Sequence, residues 1–161
     1  MLPGSLYYHF AAKEDLLAAV YEAGVRELRD AVCAAVMRPR EPWARLEAAC
    51  AAHLETVLRN SDYAQVLVRV LPSDVPGAAT RLKALRADYE QLFRELVTAL
   101  PLPADTDRRM FRLLLLGALN WSRFWFSEDV PCGSKARPGR RETPRGLARK
   151  FVLLLKEAQH A

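Results

Sequence analysis

Between its prolines this chain carries one hydrophobic rhythm only, the three-and-four spacing of a helix that buries one side. No stretch alternates apolar and polar residues with the β-branched enrichment of a strand, so the expected class is all-α. The ten prolines act as punctuation, since each lacks an N–H and disfavours helical backbone in the residue before it. Read this way, a short helix covers 4–10 and a second runs from Lys13 to about Met37. A third runs from Trp43 to Arg59, a fourth from Tyr63 to Leu71, and a fifth from Pro76 to Leu100. The sixth spans Asp107 to Phe126. Thr143 followed by Pro144 is an N-cap and then a first-turn proline, which opens a seventh helix ending near Gln159. "NSD" at 60–62 reads as a turn, and "SEDVPCGSKARPGRR" at 127–141 reads as a long polar loop.

At 161 residues the chain is long enough for one body with a sizeable core. Its 51% hydrophobic and 27% charged residues exclude a disordered chain. A net charge of +5 permits an anionic partner without requiring one. Seven basic residues lie between 135 and 150, but no aromatic residues interleave them, and they read as a solvated loop and helix start. The three cysteines form no CxxC pair, which speaks against a disulfide framework or zinc knuckle and fits a reducing cytoplasm. Lys13, Glu14 and Asp15 interrupt any signal-like run, and "LLLLGAL" at 113–119 is too short to span a bilayer, so no membrane association is expected. No nucleophile elbow, HExxH or glycine-rich phosphate loop occurs, so no catalytic residue, metal or cofactor is expected.

The short first helix, "GSLYYHF" at 4–10, has two sides. Leu6 and Phe10 share one, while Ser5, Tyr7, Tyr8 and His9 put polar tips elsewhere and Lys13 follows. Small and aromatic polar groups of this kind suit base edges and phosphates in a major groove. The order of residues in "GSLYYHFAAKEDLLAAV" resembles the second half of the helix-turn-helix of the TetR family of bacterial transcriptional regulators. That resemblance implies a TetR-like regulatory helical bundle with an incomplete N-terminal helix-turn-helix. Residues 1–35 would be a remnant of the DNA-binding domain and 36–161 a ligand-binding and dimerisation domain. It implies that Gly4, Ser5, Tyr7, Tyr8, His9 and Lys13 meet operator DNA, with Leu6 and Phe10 seating the helix on its supports. Ala12 departs from the Ser often found there in the family, at a capping cost on the order of 1 kcal/mol.

For the body, the resemblance implies a small hydrophobic or acyl-CoA-like effector held between helices. Candidate lining residues are His53, amid Ala and Leu on the third helix, Arg69, which interrupts "VLVRVL", and Asn120, Trp121 and Trp125 of "NWSRFWF". Aromatic core filling and a solvated arginine are the bland readings of the same residues. Leu113, Leu114, Gly117, Trp121 and Phe124 form one apolar stripe, and Leu147, Phe151, Leu154 and Leu155 form another. Both helices are apolar around more than one side, so a homodimer of paired helices burying more than roughly 2,000 Å² is expected.

The resemblance points to a ligand-responsive repressor. The alternatives are a ligand-binding or dimerisation module without DNA binding, and a small helical enzyme, for which no motif speaks. The two helices that precede the reading helix in the family have no counterpart before residue 4. A start assigned too far downstream would explain that, as would a chain that never bound DNA. Without those supports Leu6 and Phe10 each forgo roughly 1.5–3 kcal/mol of burial, and a helix this short does not stand alone. Residues 1–12 are therefore expected to be poorly ordered or re-packed. In a gel-shift assay the 161-residue chain is expected to give no specific complex at nanomolar concentration, and a specific nanomolar complex would overturn this reading.

Overall fold

The structure, a computed structural model, describes residues 13–58, 73, 75–126 and 142–158. Expectations for residues 1–12, for the 63–71 helix and for the 127–141 loop lie outside the described residues. Among the described residues the fold is all-α: α1 (Lys13–Val36), α2 (Pro42–Val57), α3 (Ala79–Thr98), α4 (Arg108–Trp121) and α5 (Pro144–Glu157).

α1 is one uninterrupted helix of 24 residues, about 36 Å long. Glu14 and Asp15 sit in its first turn, where the helix dipole favours negative charge. Ala18, Tyr21, Val25, Leu28 and Val32 form its buried stripe, with Leu17, Ala31, Ala35 and Val36 packed at the margin. This is the one-sided burial that the three-and-four spacing implies.

α2 begins where Glu41 accepts a hydrogen bond from the Ala44 N–H at 2.8 Å and Pro42 takes the first turn. It is the centre of the body. Its most extensive contacts are with α1 and α5, and it also meets α3 and α4. Nine of its 16 residues are buried, among them Leu46, Ala49, Cys50, Ala52 and Leu54. The alanines let neighbouring backbones come close, while Trp43 reaches α4 edge-on to Phe111 at 6.4 Å between ring centroids.

α3 is preceded by a 3-10 turn, Pro76–Ala78, rather than starting at Pro76. It buries Leu82, Tyr89, Phe93, Leu96 and Val97. The joint between α3 and α4 is tied by Arg108. Its guanidinium donates to the carbonyls of Val97 at 3.0 Å, Leu100 at 3.2 Å and Leu102 at 3.5 Å. These include carbonyls at a helix end that has no further helical partners. Leu100 and Leu102 themselves are buried, so the proline-bounded connection is anchored rather than loose. Asp107 caps α4 by accepting from the Met110 N–H at 2.9 Å.

α4 ends at Trp121 and tightens into a 3-10 turn, Ser122–Phe124, where the sequence suggested one helix to Phe126. In α5, Thr143 caps as its sequence implied, accepting from the Gly146 N–H at 3.0 Å. A Cβ on Gly146 would clash with Glu142 Oε1, so glycine makes room for the Glu142 carboxylate that pairs with Lys150. Arg145 pairs with Glu55 of α2 at 2.5 Å.

Phe93 is fully buried and touches both the His53 and Tyr89 rings. Phe93→Ala is expected to cost about 3–5 kcal/mol of stability, against about 1 kcal/mol for Thr143→Ala at the α5 cap. Chemical denaturation of the two variants beside the parent chain measures both.

Candidate functional site

The described residues bring together one buried polar centre and one exposed apolar face. The polar centre is built on α2, whose packing on every side carries His53 into the core at 1% exposure. Tyr89, one turn before Phe93 on α3, meets it there. The Tyr89 hydroxyl and His53 Nδ1 are 2.7 Å apart, across 36 residues of sequence. Phe93 stands edge-on to the imidazole, with centroids 6.2 Å apart at 90°. Tyr89 and Phe93 lie 5.6 Å apart.

Burial dominates the electrostatics. It lowers the His53 pKa from 6.5 to about 4, and the Asn120 side chain, from the last turn of α4, opposes this by favouring the protonated ring. Burial likewise raises the Tyr89 phenol well above its ordinary value, so it remains protonated. His53 Nε2 is buried and has no hydrogen-bond partner among the described residues. Asn120 itself is exposed, so this side chain connects the imidazole to the outside.

The second feature is the outer side of α4. Phe111, Leu115, Leu116 and Leu119 face the core. Leu113, Leu114, Gly117 and Trp121 stand on the opposite side, continued by Phe124 and flanked by Met110. Leu114, Trp121 and Phe124 are 60%, 63% and 54% exposed. The Trp121 and Phe124 rings pack against each other at a tilt of 41°, with centroids 4.6 Å apart. On α5, Leu154 is 64% exposed and Leu153 lies beside it, also exposed.

The residues named from sequence fall into place as follows. His53 and Asn120 come together. Trp121 does not line the buried centre but lies on the outer face. Trp125 is exposed and packs edge-on to Phe151, with centroids 6.4 Å apart. Leu147 corrects the α5 stripe: at 5% exposure it packs inside its own chain, beside Ala148 and Val152. Phe151 and Leu155 are half-buried against the same core. Gly4, Ser5, Tyr7, Tyr8, His9 and Arg69 lie outside the described residues, and Lys13 is the first residue of α1.

Tyr89 was not named from sequence as a site residue, and its signal was the hydroxyl on a helix position spaced four from Phe93, because a buried phenol needs a partner. The ion pair of Arg112 with Glu90, 3.3 Å and joining α4 to α3, had no comparable signal.

A separate cleft of about 170 Å³ lies between the ends of α1 and α3 and the start of α2, lined by Val32, Cys33, Arg45 and Glu95 among others. It is smaller than the pockets of roughly 300–1,000 Å³ that hold drug-sized ligands. Among the described residues no three His, Cys, Asp or Glu are placed to hold a metal ion, and no helix is long and apolar enough to cross a membrane.

Residues 39–134 match the profile of the tetracyclin repressor-like, C-terminal domain. No curated protein matches the chain. Among solved structures, a bacterial regulatory protein in the TetR family from Rhodococcus RHA1 is similar, with a TM-score of 0.77, 23% identity, and coverage of 99% of this chain and 80% of that one. A TetR-family transcriptional regulator from Bordetella parapertussis 12822 aligns with a TM-score of 0.76 and 22% identity over 94% of this chain and 76% of that one. AibR, solved in complex with isovaleryl coenzyme A and operator DNA, gives a TM-score of 0.72 and 20% identity over 96% and 80%.

The depressed His53 pKa has a consequence for stability. Above pH 6.5 the ring is neutral in both folded and unfolded chains and adds no pH dependence. Between pH 6.5 and about 4 the unfolded chain binds a proton that the folded chain excludes, so stability falls as pH falls. The slope from this residue is at most about 1.4 kcal/mol per pH unit. Urea unfolding across that window is expected to show a shallower acid loss in His53→Gln than in the parent chain.

Proposed function

The chain belongs to the TetR family of transcriptional regulators, and from that premise we propose that it is a ligand-responsive repressor acting as a homodimer. Proteins of this family are generally regulators rather than enzymes. The observation that carries the reading is the continuity of α1. One unbroken helix starts at Lys13, three residues past the end of the "GSLYYHF" motif in sequence, and its buried stripe runs as far as Val32 along the body. A helix so placed moves with the body that holds it. Any change in how α1 sits on α2 and α3 is carried to the segment where Gly4, Ser5, Tyr7, Tyr8 and His9 would meet operator DNA, with Lys13 at the junction.

The effector is a small hydrophobic or acyl-CoA-like molecule bound in the body. Support comes from the polar centre at His53, and from AibR, a structural neighbour that holds isovaleryl coenzyme A and operator DNA. Effector and DNA are coupled if the effector has different affinity for two arrangements of α1 on the body. Binding one then weakens the other by the same factor.

The homodimer uses the outer side of α4 with Leu153 and Leu154 of α5. Leu113, Leu114, Trp121 and Phe124 are exposed large apolar side chains on one side of α4, the kind of patch that marks an interaction surface. A second copy presents the same surface and pairs helices into a four-helix contact. Leu147 takes no part, being buried in its own subunit.

One experiment joins the parts. Sedimentation of the parent chain is expected to give a dimer and of Leu114→Glu a monomer. In a gel shift with a form carrying the complete helix-turn-helix, acyl-CoA-like compounds are expected to release operator from the parent, while the Leu114→Glu form fails to bind it. A monomeric parent, or operator binding indifferent to every such compound, would sink the reading.

A further inference from the structure

The His53–Tyr89 pair fixes its own tautomer. Were Nδ1–H to donate to the phenol oxygen, the phenol proton would have no partner among the described residues. With the phenol donating to Nδ1, that proton is answered and Nε2 carries the other N–H, toward which the Asn120 side chain acts as an acceptor from beyond normal hydrogen-bond reach. A buried hydroxyl proton left unanswered is costly, so the second arrangement holds. The bond from Tyr89 therefore turns His53 into a fixed hydrogen-bond donor at Nε2.

The surroundings of that donor select its acceptor. The rings of Tyr89 and Phe93 make the near wall apolar. The buried cation of the body, Arg112, is committed to Glu90. An anionic group brought to Nε2–H would lose its water while Arg112, the buried cation among the described residues, is already answered by Glu90, which is costly. A neutral oxygen acceptor carries no such penalty. Asn120 stands beside the imidazole, supplies both a donor and an acceptor, and is open to the outside, so it gives a polar route of entry.

We propose that His53 Nε2–H, oriented by Tyr89 and neighboured by the Asn120 carboxamide, recognises the neutral carbonyl oxygen of an otherwise apolar effector, such as an ester or thioester. This rests on the reading that the body binds an effector, and names the chemistry by which it does so. His53 touches the effector directly, and Tyr89 is a positioning residue that sets which imidazole nitrogen carries the proton.

The test uses the 161-residue chain with histidine side chains labelled with nitrogen-15, and three probes of one shape: methyl hexanoate, hexanoate and octane. Long-range proton–nitrogen spectra, with His53 assigned through His53→Gln, are expected to show Nε2–H moving on addition of the ester. The ester is expected to bind about tenfold more tightly than octane, the effect of one buried hydrogen bond gained, and also more tightly than hexanoate. His53→Gln keeps an N–H near the Nε2 position and retains the preference, whereas His53→Leu reduces it to within about twofold. Tyr89→Phe releases the tautomer and lowers the ratio of ester to octane affinity, and the Nε2 resonance shifts toward that of a ring free to exchange tautomers. Octane binding as well as the ester, hexanoate binding better than the ester, or an Nε2 resonance indifferent to all three probes would each overturn the proposal. None of those outcomes touches the effector reading, which stands or falls on the operator-release assay.

Discussion

A helix enclosed on nearly every side must have its polar atoms answered by its neighbours, and α2 is that helix. It packs on α1 and α5 most extensively and meets α3 and α4 as well. Its interior is otherwise apolar, with Leu46, Ala49, Cys50 and Leu54 fully buried. Thr56 answers its own hydroxyl by donating to the Ala52 carbonyl at 2.9 Å. His53 cannot do the same, because an imidazole is too rigid to turn back on its own helix. It must take a partner from another element, and Tyr89 is that partner. The bond sets the register of α2 against α3, and Phe93 packs against the pair.

The division of labour in α4 follows from the same economy of surfaces. Fourteen residues carry two apolar faces. The inner face, through Phe111, Leu115, Leu116 and Leu119, completes the subunit core. The outer face, through Leu114, Trp121 and Phe124, is left in water by the single chain. A helix with only one buried side would carry charge where Leu113 and Leu114 stand. α5 shows the contrast: Leu147 and Val152 are spent on its own core, and only Leu153 and Leu154 remain outside.

Much of this was legible in the residues. Proline placement and the three-and-four rhythm give the helices, and Thr143–Pro144 marks a helix start to the residue. The TetR resemblance of residues 3–17 is matched independently by residues 39–134, which lie outside that motif. What was not legible depends on contacts between distant segments. The "FVLLL" run of α5 is apolar around its circumference, so sequence cannot say that Leu147 turns inward and Leu154 outward. That is decided by where α2 lies. Arg112 reads as a surface residue until Glu90 is seen across from it. The tightening of α4 into a 3-10 turn leaves no sequence mark, because Ser122 bonds back to the Ala118 carbonyl without any proline or glycine.

The Arg108 guanidinium has an effect beyond closing a helix end. By gripping Val97, Leu100 and Leu102, and with Arg112 bound to Glu90 further along, it makes α3 and α4 a stiff two-pronged fork. Tyr89 stands on one prong and Asn120 on the other, with His53 of α2 between them. The span from phenol to carboxamide is therefore a set width, like the jaws of a caliper. On the proposed reading, a molecule entering beside the imidazole would be gauged against that width, and one that is too thick would have to displace α2 rather than spread the jaws.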